Sequence, residues 1–281
     1  MYKLEKIQWQ SGDSIEQQRF REILLRLREG ENSLDDWKQL TTRFEENLNR
    51  IERERFSDAV FILTKWIDVD KINVTMLRDL SRPVTKIITV HTGGQEAKRA
   101  NSDIAKGLEG QLLLAKGSRV MLTANIWTEA GLVNGSMGIV HDIIFEQAPP
   151  SLPAAVFIEF DAYKGPTITT SEGNKVVLIV PIKRSWEGKN GPCSRIQVPI
   201  CLAWAITVHK SQGLTLEKTK IDFGSKEFAA GLSFVTLSRA RSLNDIYLKP
   251  FTFDRLERIK NCRRLQERKE EEKRLLSMVP I

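Results

Sequence analysis

The periodicity of apolar residues changes twice along this 281-residue chain, and that double change is what most restricts its fold. In the first hundred residues, helical stripes alternate with short apolar runs. Phe20, Ile23, Leu24 and Leu27 recur at helical spacing, with Gly30 placed to stop the helix. Ser33 and Asp36 have the spacing of a capping box that opens a second helix through Trp37, Leu40 and Phe44. Residues 58–63 form an apolar run of buried-strand type. Val69, Ile72, Met76, Leu77 and Leu80 make another helical stripe, ended before Pro83. Residues 85–90 read as a strand and the polar stretch 91–106 as a loop.

From Gln111 the texture changes to short strands punctuated by Gly, Pro and Asn, at 118–122, 138–140, 155–160 and 176–180. Asn134-Gly135 supplies a turn signal among them. The first pattern returns near Pro199. Residues 201–212 then read as a helix, 220–223 as a strand, 234–241 as a helix and 245–248 as a final strand. Alternating strands and helices predict an α/β fold with a parallel sheet, and the middle stretch predicts a small inserted β-barrel. The expected division is 1–110 and 198–253 for the two parts of the α/β domain, 111–197 for the barrel and 254–281 for a charged C-terminal helix. Residues 254–274 carry nine Lys/Arg against six Asp/Glu. Their weak stripe of Leu256, Ile259 and Leu265 predicts a solvated, partly frayed helix; a basic arm on nucleic acid is the alternative.

Charge adds a modest indication of partner. Lys plus Arg is 43 against 36 for Asp plus Glu, a net charge of +7, which suits a polyanion. The three cysteines, Cys193, Cys201 and Cys262, show neither a disulfide framework nor zinc spacing, which points to a reducing compartment. His91, His141 and His209 form no metal set, so no metal site is expected. No apolar run approaches the roughly 18 residues of a spanning helix, and Met1-Tyr2-Lys3 opens no signal peptide. An intracellular location with no membrane partner follows, with nucleus and mitochondrion both open.

Chemistry concentrates in two segments near the C-terminal end. In residues 205–215, Thr207, His209, Lys210, Ser211 and Gln212 crowd the expected C-terminal turn of a helix. Gly213 there is free to take a left-handed conformation and expose its N–H. Hydroxyl, ammonium and amide donors in one turn suit phosphate oxygens. An ordinary Gly-capped helix with solvated polar residues has the same spacing. In Phe234-Val235-Thr236-Leu237-Ser238-Arg239-Ala240-Arg241, arginines follow an apolar helix start. Such an arginine is either a finger that neutralises a transferring phosphoryl group or a surface residue favourable to the helix dipole.

The sequence resembles the C-terminal half of a PIF-one-type DNA helicase, of the RecD-like branch of superfamily one. Residues 117–126, 131–138, 203–215 and 234–241 carry the likeness. The resemblance implies that the α/β parts form the second RecA-like motor domain and that the β-rich insert is a small SH3-like barrel beside DNA. It implies that Thr207, His209 and Lys210 lie near the single-stranded DNA backbone, with Asn134 also on the DNA side. It places Gln212 and Gly213 near the nucleotide and makes Arg239 the arginine finger, the candidate catalytic residue. Such a motor couples Mg-ATP hydrolysis to translocation and duplex unwinding, with roles in DNA repair, recombination and telomere maintenance.

Two departures qualify that likeness. No G-x-x-x-x-G-K-[ST] loop occurs in the chain. Mg-ATP therefore requires an N-terminal RecA-like domain as partner, and the chain alone is expected not to hydrolyse ATP. Residues 8–12 read Gln-Trp-Gln-Ser-Gly, with Trp9 where the family carries an arginine. Three readings stand: part of a helicase enzyme, an incompletely predicted gene for an intact enzyme, or an inactive nucleic-acid-binding or interaction module descended from a helicase or a helicase-bearing mobile element.

Overall fold

The computed structural model describes residue 12 and residues 14–146, 151–224 and 231–277. The stretch around Trp9 lies outside them. The chain divides into two units, Met1–Val69 with Ala205–Ile281, and Asp70–Trp204.

The first unit is α/β. Its sheet has four parallel strands in the order Ala205–Thr207, Val60–Leu63, Thr219–Asp222, Ile246–Leu248. Ile62, Ile206, Ile221 and Leu248 are buried in it, as expected of short apolar runs covered on both faces. Helix Ile15–Glu29 supplies Phe20, Ile23, Leu24 and Leu27 to the core. Gly30 ends that helix in the left-handed region at φ 69°. A Cβ there would also lie 2.8 Å from Leu265, so turn and close approach both require glycine. Ser33 and Asp36 form the capping box of helix Leu34–Thr41, and Arg26 adds two hydrogen bonds to the Asp36 carboxylate, at 2.9 and 2.7 Å.

The second unit is β-rich. Its largest sheet is antiparallel, in the order Ile200–Leu202, Arg119–Leu122, Met137–Ile144, Ala155–Phe160, Lys175–Ile179, Ile168–Thr169. A two-stranded ribbon, Thr85–Ile88 with Gln111–Leu114, shares one core with it through Ile87, Leu112 and Leu114. A three-stranded sheet orders Ile182–Gly188, Gly191–Gln197 and Val90–Thr92. Arg195 on its central strand is fully buried. It donates to the carbonyls of Leu108 (2.7 Å), Ala97 (3.1 Å) and Ala100 (2.6 Å).

Several expectations are corrected. Residues 85–90 are not a strand of the parallel sheet. They split into two antiparallel strands with different partners, Thr85–Ile88 and Val90–Thr92. Residues 91–106 are not merely loop, since helix Gly94–Arg99 forms there. These pairings tie residues 85–92 to strands within the unit Asp70–Trp204. The pairing of Ile200–Leu202 with Arg119–Leu122 likewise carries its end to Trp204.

The expected helix over 201–212 is instead two strands, Ile200–Leu202 and Ala205–Thr207, followed by the single turn Val208–Ser211. Ile200, Cys201, Ala203, Ala205 and Ile206 are all buried, leaving no polar face for a helical period to detect. The C-terminal segment is two helices, Phe253–Lys260 and Arg263–Leu276, and it is docked. Leu256, Ile259, Leu265 and Arg255 are buried. Arg268 donates to the carbonyl of Arg28 (3.0 Å) and the carboxylate of Glu29 (2.8 Å).

Candidate nucleotide and nucleic-acid site

In open α/β sheets, ligands bind beyond the carboxyl ends of the strands. In the first unit that edge is built by register. Leu63 pairs with Thr207 on one side and with Asp222 on the other. The turns that follow these strands therefore emerge side by side.

Thr207 ends its strand and caps the next turn. Its Oγ1 accepts from the backbone N–H of Lys210 at 3.3 Å. It therefore stands at the start of a one-turn helix, not in the last turn of a long one. Ser211 is fully buried and donates to the carbonyl of Val208 at 2.8 Å, which ties the turn down from inside. His209 and Gln212 are exposed. Gly213 adopts φ +84° with open space where a Cβ would stand. The Lys210 ammonium lies 4.8 Å from the centre of the Trp66 ring.

Arg239 follows helix Leu232–Leu237, which starts two residues earlier and ends four residues earlier than the spacing indicated. Its Nε donates to the carbonyl of Val235 (2.8 Å), Nη1 to the carbonyl of Leu214 (3.2 Å) and Nη2 to Ser238 Oγ (2.7 Å). Its own carbonyl accepts from Leu216 N at 2.9 Å. Burial pushes the guanidinium below its ordinary pKa, yet an arginine stays charged at any physiological pH. A guanidinium has five N–H donors. Three are engaged, so one on each terminal nitrogen remains unassigned among the described residues.

Residues 207–213 and Arg239 thus belong to one unit and are joined through Leu214 and Leu216. Asn134 lies in the other unit, exposed on its own turn. Its backbone N–H donates to Asn125 Oδ1 at 2.8 Å. The turn is braced by Ser136, which accepts from Val133 N (3.0 Å) and donates to the Gly131 carbonyl (2.8 Å). Among the described residues no His, Cys, Asp or Glu cluster could hold a metal ion, and no helix is long and apolar enough to cross a membrane.

Two residues at this edge escaped the sequence reading. Trp66 reaches Lys210 from a distant part of the chain, so no spacing connects them. Arg255 lies in the segment expected to be a solvated helix. It instead donates to the carbonyls of Phe223 and Gly224, each at 3.3 Å, and to Ser233 Oγ at 2.7 Å, which fixes the end of strand Thr219–Asp222.

Comparison with known proteins is consistent across sequence and structure. No family model matches the chain. The ATP-dependent DNA helicase PIF1 of Homo sapiens is 32% identical over 206 residues, which are 69% of this chain and 27% of that protein. PIF1 of Xenopus laevis is 37% identical over 142 residues, 50% of this chain and 20% of the relative. The crystal structure of Pif1 helicase from Candida albicans matches 95% of this chain and 59% of its own at a TM-score of 0.67 and 25% identity. The chain spans about a quarter of the length of these curated relatives and somewhat over half of the solved one. The chain is therefore a relative of the PIF1 DNA helicases, sharing with one part of those proteins both sequence and fold.

Proposed function

We propose that this chain supplies the second RecA-like face of a PIF1-type motor, binding single-stranded DNA and presenting an arginine to ATP held by another domain. The observation that carries the reading is the double tie between Arg239 and the 214–216 segment. It couples the arginine to the turn that bears Thr207, His209, Lys210, Gln212 and Gly213. In this reading Thr207, His209 and Lys210, with Asn134 from the other unit, contact DNA. Gln212, Gly213 and Arg239 face the nucleotide, Arg239 through its two unassigned N–H groups. A Bacteroides Pif1 with this fold has been solved with ADP-AlF3 and single-stranded DNA, which supports the assignment of both ligands. The β-rich unit corresponds in this reading to the family's SH3-like barrel, and the helices from Phe253 to its charged C-terminal extension.

The residues present fit only one side of Mg-ATP. Arginine and turn donors suit a terminal phosphate. The 281 residues contain neither a phosphate-binding loop nor a metal-binding acidic set among those described. Magnesium and the phosphates belong on the partner RecA-like domain, where they supply the phosphoryl chemistry. Purified chain mixed with ATP, magnesium and single-stranded DNA is expected to show no steady-state turnover. Turnover that disappears in Arg239→Ala would overturn this division of labour.

An inactive nucleic-acid-binding module is the second reading, and the engagement of three Arg239 donors within its own unit favours it. Adding a separately produced PIF1 phosphate-loop domain separates the two. Turnover stimulated by the wild-type chain and not by Arg239→Ala supports the motor reading.

A further inference from the structure

We infer that Trp66 stacks a nucleobase of the bound single strand, with Lys210 fixing its ring. The inference rests on the proposal that residues 207–210 face single-stranded DNA.

Trp66 opens helix Trp66–Asp79 three residues after strand Val60–Leu63 ends. Because Leu63 pairs with Thr207, this turn and the turn at 208–211 leave the sheet as neighbours at its carboxyl edge. Trp66 is 51% exposed there, although it is among the largest apolar side chains the protein has. A single exposed apolar residue needs no explanation by itself. Trp66 differs because its ring is positioned: the Lys210 ammonium sits 4.8 Å from the ring centre. An ammonium at that distance is attracted by the ring's quadrupole and restricts its orientation. Lys65 and His209, both exposed, flank the pair along the chain.

An aromatic face interleaved with basic side chains is what a single strand requires. Phosphates need cations, and unstacked bases need a flat apolar surface. Duplex DNA offers no free base face, so the chemistry selects a single strand. A purely structural Lys210–Trp66 brace would have the same geometry, and the test below separates the two.

The full chain would be titrated by fluorescence anisotropy against a labelled oligothymidylate and against an abasic strand of equal length, at one salt concentration. Stacking on one base is expected to make Trp66→Ala bind thymidylate about 10-fold more weakly, while its binding to the abasic strand matches wild type. Trp66→Phe, which keeps an aromatic face, should recover most of the loss. Lys210→Ala, which removes a phosphate cation together with the partner that orients the ring, should weaken both strands, thymidylate more than the abasic one. The inference is overturned if Trp66→Ala binds thymidylate as wild type does, if it loses equally on both strands, or if Trp66→Phe falls as far as the alanine variant. Should Trp66→Ala misfold by circular dichroism, Trp66→Phe carries the test: thymidylate must quench tryptophan emission less in it than in wild type. Wild-type binding that ignores Trp66 sinks this inference alone, whereas no binding by the intact chain sinks the proposed function with it.

Discussion

Arg239 and Leu214 are joined by a charged hydrogen bond, from Arg239 Nη1 to the Leu214 carbonyl at 3.2 Å. The reciprocal bond, from Leu216 N to the Arg239 carbonyl at 2.9 Å, lies one peptide further on. Side chain and backbone of one segment therefore hold the backbone of the other. Arg239→Ala removes three donors from partly buried acceptors. The expected cost is about 1–3 kcal/mol, read as a lower urea midpoint at unchanged slope. Arg239→Lys keeps the charge but not the fork, so it should fall between the two. A midpoint unmoved by either substitution would remove the clamp from the account.

Two glycines should respond differently to alanine. A Cβ at Gly138 would lie 2.5 Å from the Glu159 carbonyl oxygen and 2.7 Å from Ile158. Both belong to the paired strand, so little can give way. Gly138→Ala should cost roughly 2 kcal/mol or more. Gly213 has open space but φ +84°, and alanine there should cost only about 1–2 kcal/mol of backbone strain. Thermal melts of the two variants check the order, and an equal or inverted order would contradict it.

Arg195 is a buried cation whose three hydrogen bonds all end on carbonyls. Removing it strands those carbonyls in a dry site. Arg195→Met, which keeps volume without donors, should destabilise by about 1–3 kcal/mol for each buried carbonyl left without a donor, and the 97–108 segment should become the first site of limited proteolysis. Wild-type protease resistance would show that the carbonyls find other partners.

Helix Ile15–Glu29 was legible because one face of it is polar, and the Ser33–Asp36 capping box because of its spacing. The strand at Val60–Leu63 was legible as a short apolar run, and Thr219–Asp222 through the alternation of Lys220, Ile221, Asp222 and Phe223. Residues 200–207 were not, since a mostly apolar run with no exposed residue offers no polar face that separates strand from helix. The antiparallel pairing of Thr85–Ile88 was also hidden, because pairing partners are set by distant segments. Thr207 to Gly213 and Arg239 were marked by residue type and resemblance, but the link through Leu214 and the place of Trp66 exist only in the folded chain.

Asp36 should make stability depend on acid. Burial opposes its ionisation, but the Arg26 and Ser33 hydrogen bonds outweigh burial and hold the carboxyl below its ordinary value. A depressed folded value means the unfolded chain binds the proton more readily. Asp36 therefore contributes stability above the unfolded pKa near 4, and the contribution is lost as pH falls through the lower folded value. Asp36→Asn should be less stable than wild type by roughly 1–3 kcal/mol at pH 7, with the gap closing below about pH 4. A gap independent of pH would mean the carboxylate charge contributes nothing.

In the proposed function this unit grips the phosphates of a single strand through the turn at 207–213. The most direct measurement is the affinity of the full chain for an oligothymidylate at about 50 and 200 mM salt, for wild type and Lys210→Ala. Each phosphate contact contributes roughly 0.7 to the slope of log affinity against log salt for single strands. Binding should be weaker at the higher salt, and Lys210→Ala should show both lower affinity and a shallower slope. Affinity unchanged by salt, or a slope indifferent to Lys210, would contradict the proposed function.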